Sequence, residues 1–171
     1  MKILKKNIHK LNYKNTNECV KCIFEEPVFS GLQNYNGWSH KAVYSHLNNL
    51  KTLSLGYFQD NELKGFIFTN FFIIQSHCEI EILLIFVKKD FRRLGIGNIL
   101  IDTLIKQKKY CNIIDIYLEF SNTNKVAKIF YENYGFKKIS NRKKYYILKN
   151  NKTEDASLFN FKKIKNEKNI Y

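Results

Sequence analysis

The sequence lacks any apolar run long enough to cross a bilayer. A membrane-spanning helix needs about 20 consecutive, mostly apolar residues. Residues 1–6 also lack the apolar core and cleavage site of a secretory signal. These two absences predict a soluble, cytoplasmic protein that does not bind membranes.

Cysteine is sparse as well, with four residues in the chain, Cys19, Cys22, Cys78 and Cys111. A disulfide framework is typical of small secreted domains rather than of an intracellular chain of this length. Cys19 and Cys22 form one C-x-x-C pair, but no second pair follows. Neighbouring positions on one helix face explain them better than a zinc or redox site does. We therefore predict no metal and no disulfide.

Acidic residues are scarcer than basic ones. The chain has 15 Asp and Glu and 29 Lys and Arg, which gives a net charge of +14. Residues 137–171 contain 11 of the basic and 3 of the acidic side chains. A basic surface attracts polyanions such as RNA or the phosphates of a coenzyme. The alternative is solvated lysine in a chain rich in Lys, Asn and Ile. No stacking motif of the common RNA-binding folds is present, so we predict no direct sequence-specific nucleic-acid binding.

A glycine turn between a strand and a helix is the most informative stretch. Apolar residues 82–87 predict a strand, Gly95 and Gly97 the turn, and 98–109 an amphipathic helix. A second strand over 113–119 completes a strand–helix–strand unit, which is normally parallel and binds ligands beyond the carboxyl ends of its strands. The residues expected on the inner face of the helix are Ile99, Leu100, Thr103 and Leu104.

Strands and helices are predicted on both sides of this unit. Residues 1–162 are expected to form one domain, followed by a basic, disordered tail over 163–171. One helix is expected over 16–26 with Thr16 or Asn17 as its cap, and another over 41–49 with Ser39 as its cap and Trp38 as a packing anchor. A third is expected over 122–134 and should end at Gly135. Its inward residues are expected to be Val126, Ala127, Ile129, Phe130 and Tyr134. Loops are expected over 28–37 and 149–153, and strands within 1–13 and over 52–58, 63–74, 78–88, 136–140, 145–148 and 156–161.

The glycine turn has the chemistry of an anion site. Gly95 and Gly97 permit backbone conformations that a side chain forbids and leave room for a ligand. The amides of 93–98 would then point outward from a helix N-terminus toward a phosphate or pyrophosphate. A Walker loop would need Gly-Lys-Ser/Thr, and a Rossmann fingerprint would need glycine where Leu100 stands. An ordinary strand-to-helix turn remains the alternative.

Arg92-x-x-Gly95-x-Gly97 after a strand resembles the acyl-coenzyme A pyrophosphate loop of the GNAT N-acetyltransferases. The downstream residues resemble the signature N-x-x-A-x-x-x-Y-x-x-x-G-F of the same fold. They are Asn124, Ala127, Tyr131, Gly135 and Phe136. Further matches resemble the bacterial ribosomal-protein-alanine N-acetyltransferases (RimI-like) in particular. They are Trp38-Ser39, Arg142-Lys-Lys-Tyr145-Tyr146 and Glu154-Asp155-Ala156.

The resemblance covers roughly residues 16–162 and implies an α+β fold. That fold is a single GNAT-like domain whose mixed, mostly antiparallel sheet is flanked by about four helices. The implied co-substrate is acetyl-CoA, without a metal. The implied acceptor is a protein N-terminus, above all the N-terminal alanine of a small-subunit ribosomal protein. Association with the ribosome and a monomeric state are further expectations.

The resemblance also implies a catalytic pair. Glu119 ends the second parallel strand and would take the proton of the acceptor amine, although a surface glutamate at a strand end is the alternative. Tyr131 would protonate the departing thiolate, although a packed aromatic is the alternative. Tyr145 and Tyr146 would line the channel for the acceptor, although they also fit simple aromatic packing.

The implied coenzyme-binding residues lie on the first strand, the glycine turn and the last helix. Asn124 fits both coenzyme binding and a helix cap, and the amide of Val87 is the expected oxyanion donor. The full set is Ile85, Phe86, Val87, Arg92, Arg93, Leu94, Gly95, Ile96, Gly97, Asn98, Asn124 and Tyr131.

Four positions depart from the family pattern and bear on the acceptor rather than on the coenzyme. They are Ser121, where Arg is usual, Lys89 and Ile147, where Pro is usual, and Phe86, where Ala is usual. Two alternatives to the first function therefore stay open. One keeps acetyl transfer and changes the acceptor to another protein N-terminus, a lysine or a small amine. The other is a basic ribosome- or RNA-binding module without catalysis.

Overall fold

The computed structural model describes residues 7–25, 38–107, 111–148 and 152–164. Seven strands form one mixed sheet in the order β1-β2-β3-β4-β5-β7-β6, and the described residues contain four α-helices. The elements are β1 (Ile8–Lys10), α1 (Thr16–Phe24), α2 (His40–Leu47), β2 (Leu55–Gln59), β3 (Glu62–Ile74), β4 (His77–Val87), α3 (Ile96–Gln107), β5 (Ile113–Ser121), α4 (Lys125–Tyr134), β6 (Lys137–Ile147) and β7 (Thr153–Ile164). The predicted α+β, single-domain fold is confirmed.

The predicted strand–helix–strand unit lies at the centre of this sheet. β4 and β5 are parallel and joined by α3, whereas every other strand pair among the described residues is antiparallel. Side chains of β4 alternate, with Cys78, Ile80 and Ile82 buried and Glu79 and Glu81 exposed. This alternation gives the sheet one face packed under α3 and another that is open beside β4 and β5.

Two clusters of buried residues hold the layers together. The larger joins the α3 face of the sheet, including Ile80, Ile116 and Phe159, to Leu100 and Leu104 of α3. The smaller lies on the opposite face and joins α1 and α2 to β3 and β4. Its main members are Cys19, Cys22, Val43, Phe66, Phe68, Leu84 and Phe86.

The β2–β3 hairpin turns at Asp60 and Asn61. Both residues have positive φ, 53° and 61°, as a type I′ turn requires at its two central positions. Asp and Asn suit these two positions, because they tolerate the left-handed region better than most other side chains do.

The predicted cap of α2 is confirmed, whereas that of α1 is wrong. Ser39 caps α2 through its hydroxyl, which accepts from the Ala42 N–H at 3.3 Å. The predicted cap of α1 at Thr16 or Asn17 is wrong, because a 3₁₀ turn at Tyr13–Asn15 precedes α1 and Thr16 is its first residue. Glu26, Pro27 and the predicted loop over 28–37 lie outside the described residues.

The inner faces of α3 and α4 differ from the predicted ones. In α3 the buried residues are Ile96, Leu100, Ile101, Leu104 and Ile105, so Ile99 and Thr103 were wrongly included. In α4 Tyr131 is buried, and the predicted Ala127, Phe130 and Tyr134 are partly buried against the larger cluster. Val126 and Ile129 are 74% and 54% exposed, because α4 rests on the rim of the larger cluster along the Tyr131 side.

The C-terminal strands are longer than predicted. The two strands expected over 136–140 and 145–148 form one strand, β6, with irregular register. β7 continues to Ile164, with Lys163 opposite Ile114 and Ile164 opposite Ile113. The predicted tail was therefore set two residues too early, and its remainder, 165–171, lies outside the described residues, as do 149–151 of the predicted turn.

The cysteines are buried, free thiols. Cys19 and Cys22 both belong to the smaller cluster, and burial raises the pKa of each thiol. Protonated thiols within an apolar cluster are poor nucleophiles and metal ligands. In the described parts of the chain, no helix is long and apolar enough to span a membrane.

Because His46 is partly buried, we expect the protein to lose stability in acid. The His46 ring packs against those of Trp38 and Phe68, and burial lowers its pKa from 6.5 to about 4. Below pH 6.5 the unfolded chain binds a proton that the folded chain refuses, so stability should fall as the pH drops from 6.5 toward 4. Urea unfolding at pH 7 and pH 4.5 measures the loss. His46→Gln should lose less than the wild type, while His40→Gln should lose as much.

Candidate active site

A cleft opens where β4 and β5 separate. Their parallel pairing ends at Ile82 opposite Leu118. Opposite β3, Leu84 faces Phe68 and Ile82 faces Thr69, so Leu83 is an extra residue that makes a β-bulge. Beyond this bulge, within the described residues, β4 pairs with β3 alone and β5 pairs with β7 alone. The strand ends therefore diverge and leave backbone groups for a ligand between them.

A cavity of about 370 Å³ lies at this divergence. It contains two carboxylates and two phenols within an otherwise apolar wall. Its lining residues are Trp38, Glu81, Ile82, Leu83, Glu119, Tyr145 and Tyr146. The structure thus brings together three of the predicted residues, namely the proposed base and both proposed acceptor contacts.

Glu119 lies near the end of β5, and its side chain is 15% exposed. The guanidinium of Arg142 donates from Nε to Glu119 Oε1 at 2.9 Å. The hydroxyl of Tyr145 also hydrogen-bonds to Glu119, and burial followed by this bond raises the pKa of Tyr145. Glu119 is thus a held carboxylate that faces the cavity, not a loose surface side chain.

A bulge in β6 places Tyr145 and Tyr146 beside the same cavity. Arg142 faces Ala156 and Tyr146 faces Glu154, so four steps along β6 match two along β7. Within the bulge Lys144 has a φ of 53°, and its N–H donates to Asp155 Oδ1 at 2.8 Å. Adjacent residues of a regular strand would point to opposite faces, so only the bulge lets both phenols reach one site.

Tyr131 lies on the other side of β5 from Glu119. Its ring is buried and stacks on Phe120 at 5.6 Å between centroids. It packs edge-on against Phe130 and Phe136 as well. Tyr131 does not line the cavity that holds Glu119. The two proposed catalytic residues therefore approach the cleft from opposite faces of the sheet.

The turn before α3 has the backbone expected of an anion site. Arg93 and Gly95 have positive φ, 63° and 81°, and α3 begins directly afterwards at Ile96. Arg92 Nε donates to the carbonyl of Val87 at 2.9 Å, which ties the turn to the end of β4. Arg93, Leu94 and Asn98 are exposed, whereas the side chain of Ile96 is buried in the core.

Gly97 has a packing role in this turn. A Cβ at this position would lie 2.8 Å from Cζ of Phe130, so the glycine makes room for α4. The space beside Gly95 is open, but its φ of 81° disfavours any side chain. The two glycines therefore serve packing and backbone conformation respectively.

A pair of variants tests this assignment. Gly97→Ala is expected to destabilise the fold by about 1–3 kcal/mol, because overpacking forces α3 and α4 apart. Adding Phe130→Leu should restore part of that loss by removing the ring that the new methyl meets. Thermal unfolding of the single and double variants measures it. Equal stability of Gly97→Ala and the wild type would contradict the packing role.

The remaining residues proposed to bind the coenzyme are Ile85, Phe86, Val87 and Asn124. They present mainly backbone groups or a helix cap at this site. Phe86 is buried and stacks on Phe66 at 5.3 Å, on the side of the sheet that carries α1 and α2. Its bulk therefore fills the smaller cluster. Ile85 and Val87 are half-buried. Asn124 caps α4, since its Oδ1 accepts from the Ala127 N–H at 3.0 Å.

Some residues in or beside the cavity were missed by sequence reasoning. Glu81 and Leu83 line the cavity, and Arg142 was matched only as part of a motif. The signal for Glu81 was present, because Glu79 and Glu81 are carboxylates at alternate positions of an apolar strand. Ser121, where the family has Arg, instead hydrogen-bonds to Thr123 and Glu154 across to β7.

The family described as "Acetyltransferase (GNAT) domain" matches residues 28–146, more than half of the chain. This chain belongs to the GNAT acetyltransferase family. The predicted enzyme class is thereby confirmed. Among the described residues, no group of three or more His, Cys, Asp or Glu side chains could hold a metal ion.

A relative of this acetyltransferase is the [ribosomal protein bS18]-alanine N-acetyltransferase of Salmonella typhimurium. The two are 28% identical over 109 residues, which cover 64% of this chain and 70% of the relative. The acceptor in this name, an alanine of ribosomal protein bS18, is that of the Salmonella typhimurium enzyme.

Solved structures share the fold of this acetyltransferase. The ribosomal-protein-S18-alanine N-acetyltransferase from Escherichia coli superposes with a TM-score of 0.78 at 22% identity, covering 98% of this chain and 99% of that one. NAA60 of Arabidopsis thaliana in complex with acetyl-CoA gives 0.74 at 16% identity, covering 92% and 98%. PaiA N-acetyltransferase of Thermoplasma acidophilum with coenzyme A gives 0.70 at 21% identity, covering 93% and 99%.

Proposed function

We propose that this acetyltransferase moves the acetyl group of acetyl-CoA to the N-terminal α-amine of a protein, with the N-terminal alanine of a small-subunit ribosomal protein as the first candidate. The observation that carries the proposal is Glu119, a held carboxylate in a cavity that adjoins the cleft between β4 and β5. The relatives from Salmonella typhimurium and Escherichia coli, which are ribosomal-protein-alanine N-acetyltransferases, support the choice of acceptor.

The residues around the cleft fit acetyl-CoA, which supplies an activated thioester when bound. The amides at the start of α3 and the left-handed turn at Arg93 and Gly95 suit a pyrophosphate. Arg93 adds a positive charge there. Backbone groups of Ile85 and Val87 beyond the bulge can pair with an extended ligand as an added strand would.

The residues then divide the chemistry between two faces of the sheet. Glu119 takes a proton from the acceptor's ammonium, which makes the nitrogen nucleophilic. A backbone amide near Val87 donates to the oxygen that becomes negative during attack. Tyr131, on the opposite face of β5, donates a proton toward the departing sulfur. Tyr145 and Tyr146 form the wall against which the acceptor's first residue packs.

A panel of acceptors tests the proposal. Peptides beginning Ala, Ser and Met, an N-terminally blocked peptide with one lysine, and a small diamine are each incubated with acetyl-CoA and the enzyme. Intact mass spectrometry follows the product of each. The proposal expects the free peptide N-termini to react fastest, with Ala first. Faster reaction of the lysine peptide or the diamine would assign a different acceptor to the same fold.

A further inference from the structure

We propose that Arg142 is a positioning residue that holds the Glu119 carboxylate in the orientation needed to accept the acceptor's proton. This inference rests on the proposed function of Glu119. Arg142 belongs to neither the cavity wall nor the cleft. It acts through Glu119, to which its Nε donates at 2.9 Å. In the described parts of the chain, no other ion pair involves Glu119.

The sheet topology shows how an arginine two strands away reaches this carboxylate. Glu119 is on β5 and Arg142 on β6, with β7 between them. Ala156 of β7 pairs directly with Ser121 of β5 on one side and with Arg142 of β6 on the other. Directly opposite residues of antiparallel strands point to the same face. The small side chain of Ala156 therefore leaves a path over β7 from Arg142 to Glu119.

The arginine is itself held in place. Its guanidinium carbon lies 5.5 Å from the centroid of the Tyr145 ring, in a cation–π contact. Tyr145 hydrogen-bonds to Glu119 in turn. The three side chains thus form a closed set in which each contacts the other two. A carboxylate that is restrained by both partners has little freedom to rotate away from the cavity.

This set still leaves Glu119 able to act as a base. A carboxylate accepts about four hydrogen bonds, and the two bonds from Arg142 and Tyr145 leave lone pairs for the acceptor. The proton passes from the acceptor's ammonium to a free lone pair of Glu119, and no bond to Arg142 breaks. A planar, permanently charged guanidinium suits this role better than lysine, whose ammonium is a mobile point charge.

The kinetic test compares Arg142→Ala with Lys143→Ala. Lys143 is the next residue of β6, is exposed, and loses the same charge when replaced. Misplacement of a reacting group by about 1 Å costs on the order of 10²-fold in rate. We therefore expect Arg142→Ala to lower kcat on the best peptide by about that factor, with the KM for acetyl-CoA unchanged. Lys143→Ala should stay near the wild type.

Chemical rescue separates positioning from general damage. Guanidinium ion added to Arg142→Ala should restore part of the lost turnover, and Arg142→Lys should fall between Arg142→Ala and the wild type. Turnover that is unchanged or increased in Arg142→Ala would overturn the proposal. So would a loss confined to the acceptor's KM, a loss shared by Lys143→Ala, or a loss that guanidinium does not relieve.

A measurement without any acceptor keeps this inference distinct from the proposed function. The positive charge of Arg142 lowers the pKa of Tyr145, so Arg142→Ala should raise that pKa further. Nuclear magnetic resonance of ring-labelled tyrosine, assigned with Tyr145→Phe, follows the titration. Suppose that none of the acceptors is acetylated. If the pKa of Tyr145 nevertheless rises in Arg142→Ala and not in Lys143→Ala, the proposed function is wrong, but the arrangement of Arg142, Glu119 and Tyr145 is supported. An unmoved titration overturns the arrangement itself.

Discussion

Replacing Glu119 with glutamine is expected to lower kcat by about 10²–10⁴-fold at neutral pH, the usual contribution of a general base. Glutamine keeps the size of the side chain but cannot take the acceptor's proton. Part of the lost rate should return at higher pH, because an α-amine with an ordinary pKa of about 8 is then already neutral. Steady-state kinetics between pH 7 and pH 9 measure both effects.

Glu81→Gln is the matched control for this variant. Glu81 is the other carboxylate of the cavity, but it is exposed and accepts a hydrogen bond from the neutral amide of Asn70 at 3.2 Å. Its loss should change the acceptor's KM more than kcat. If Glu81→Gln loses more turnover than Glu119→Gln, Glu81 is the base and the role of Glu119 is wrong.

Tyr131→Phe is expected to lower turnover while leaving coenzyme A affinity almost unchanged. Only the hydroxyl is removed, so the ring can still stack on Phe120 and pack against Phe136. A general acid contributes about 10²–10⁴-fold to rate. Calorimetry with coenzyme A and single-turnover kinetics with acetyl-CoA separate binding from the chemical step.

A second phenol on α4 controls for the loss of a hydroxyl as such. Tyr134 donates to Asp102 Oδ1 at 2.7 Å, which links α4 to α3. Tyr134→Phe should lower stability slightly without changing kcat. Wild-type turnover in Tyr131→Phe would show that Tyr131 is only a packed aromatic in contact with Phe120, Phe130 and Phe136.

The regular parts of the fold could be predicted from local patterns. Residues 63–74 and 78–88 are long apolar runs between turn residues, and β3 and β4 match them within one residue. Gly135 ended its helix as predicted, with a φ of 111°. The inner faces of α3 and α4 were less accurate, because α4 packs at the rim of the core. An apolar residue such as Val126 can lie on its exposed side.

The geometry of the candidate site was harder to predict. A motif could indicate Glu119, Tyr145 and Tyr146, but their meeting in one cavity depends on bulges at Leu83 and within 142–146. A bulge adds residues without a periodic signal, so strand alternation cannot reveal it. The contact between Gly97 and Phe130 is also invisible locally, since it joins two helices that β5 separates in sequence.

The most direct test of the central claim is the position of the acetyl group on a peptide that offers two amines. The peptide begins with a free alanine and contains one lysine further along. After reaction with acetyl-CoA, tandem mass spectrometry assigns the added acetyl to one nitrogen. The account predicts acetylation at the alanine α-amine in the wild type and almost none in Glu119→Gln. Acetyl on the lysine, or equal product from both enzymes, would contradict it.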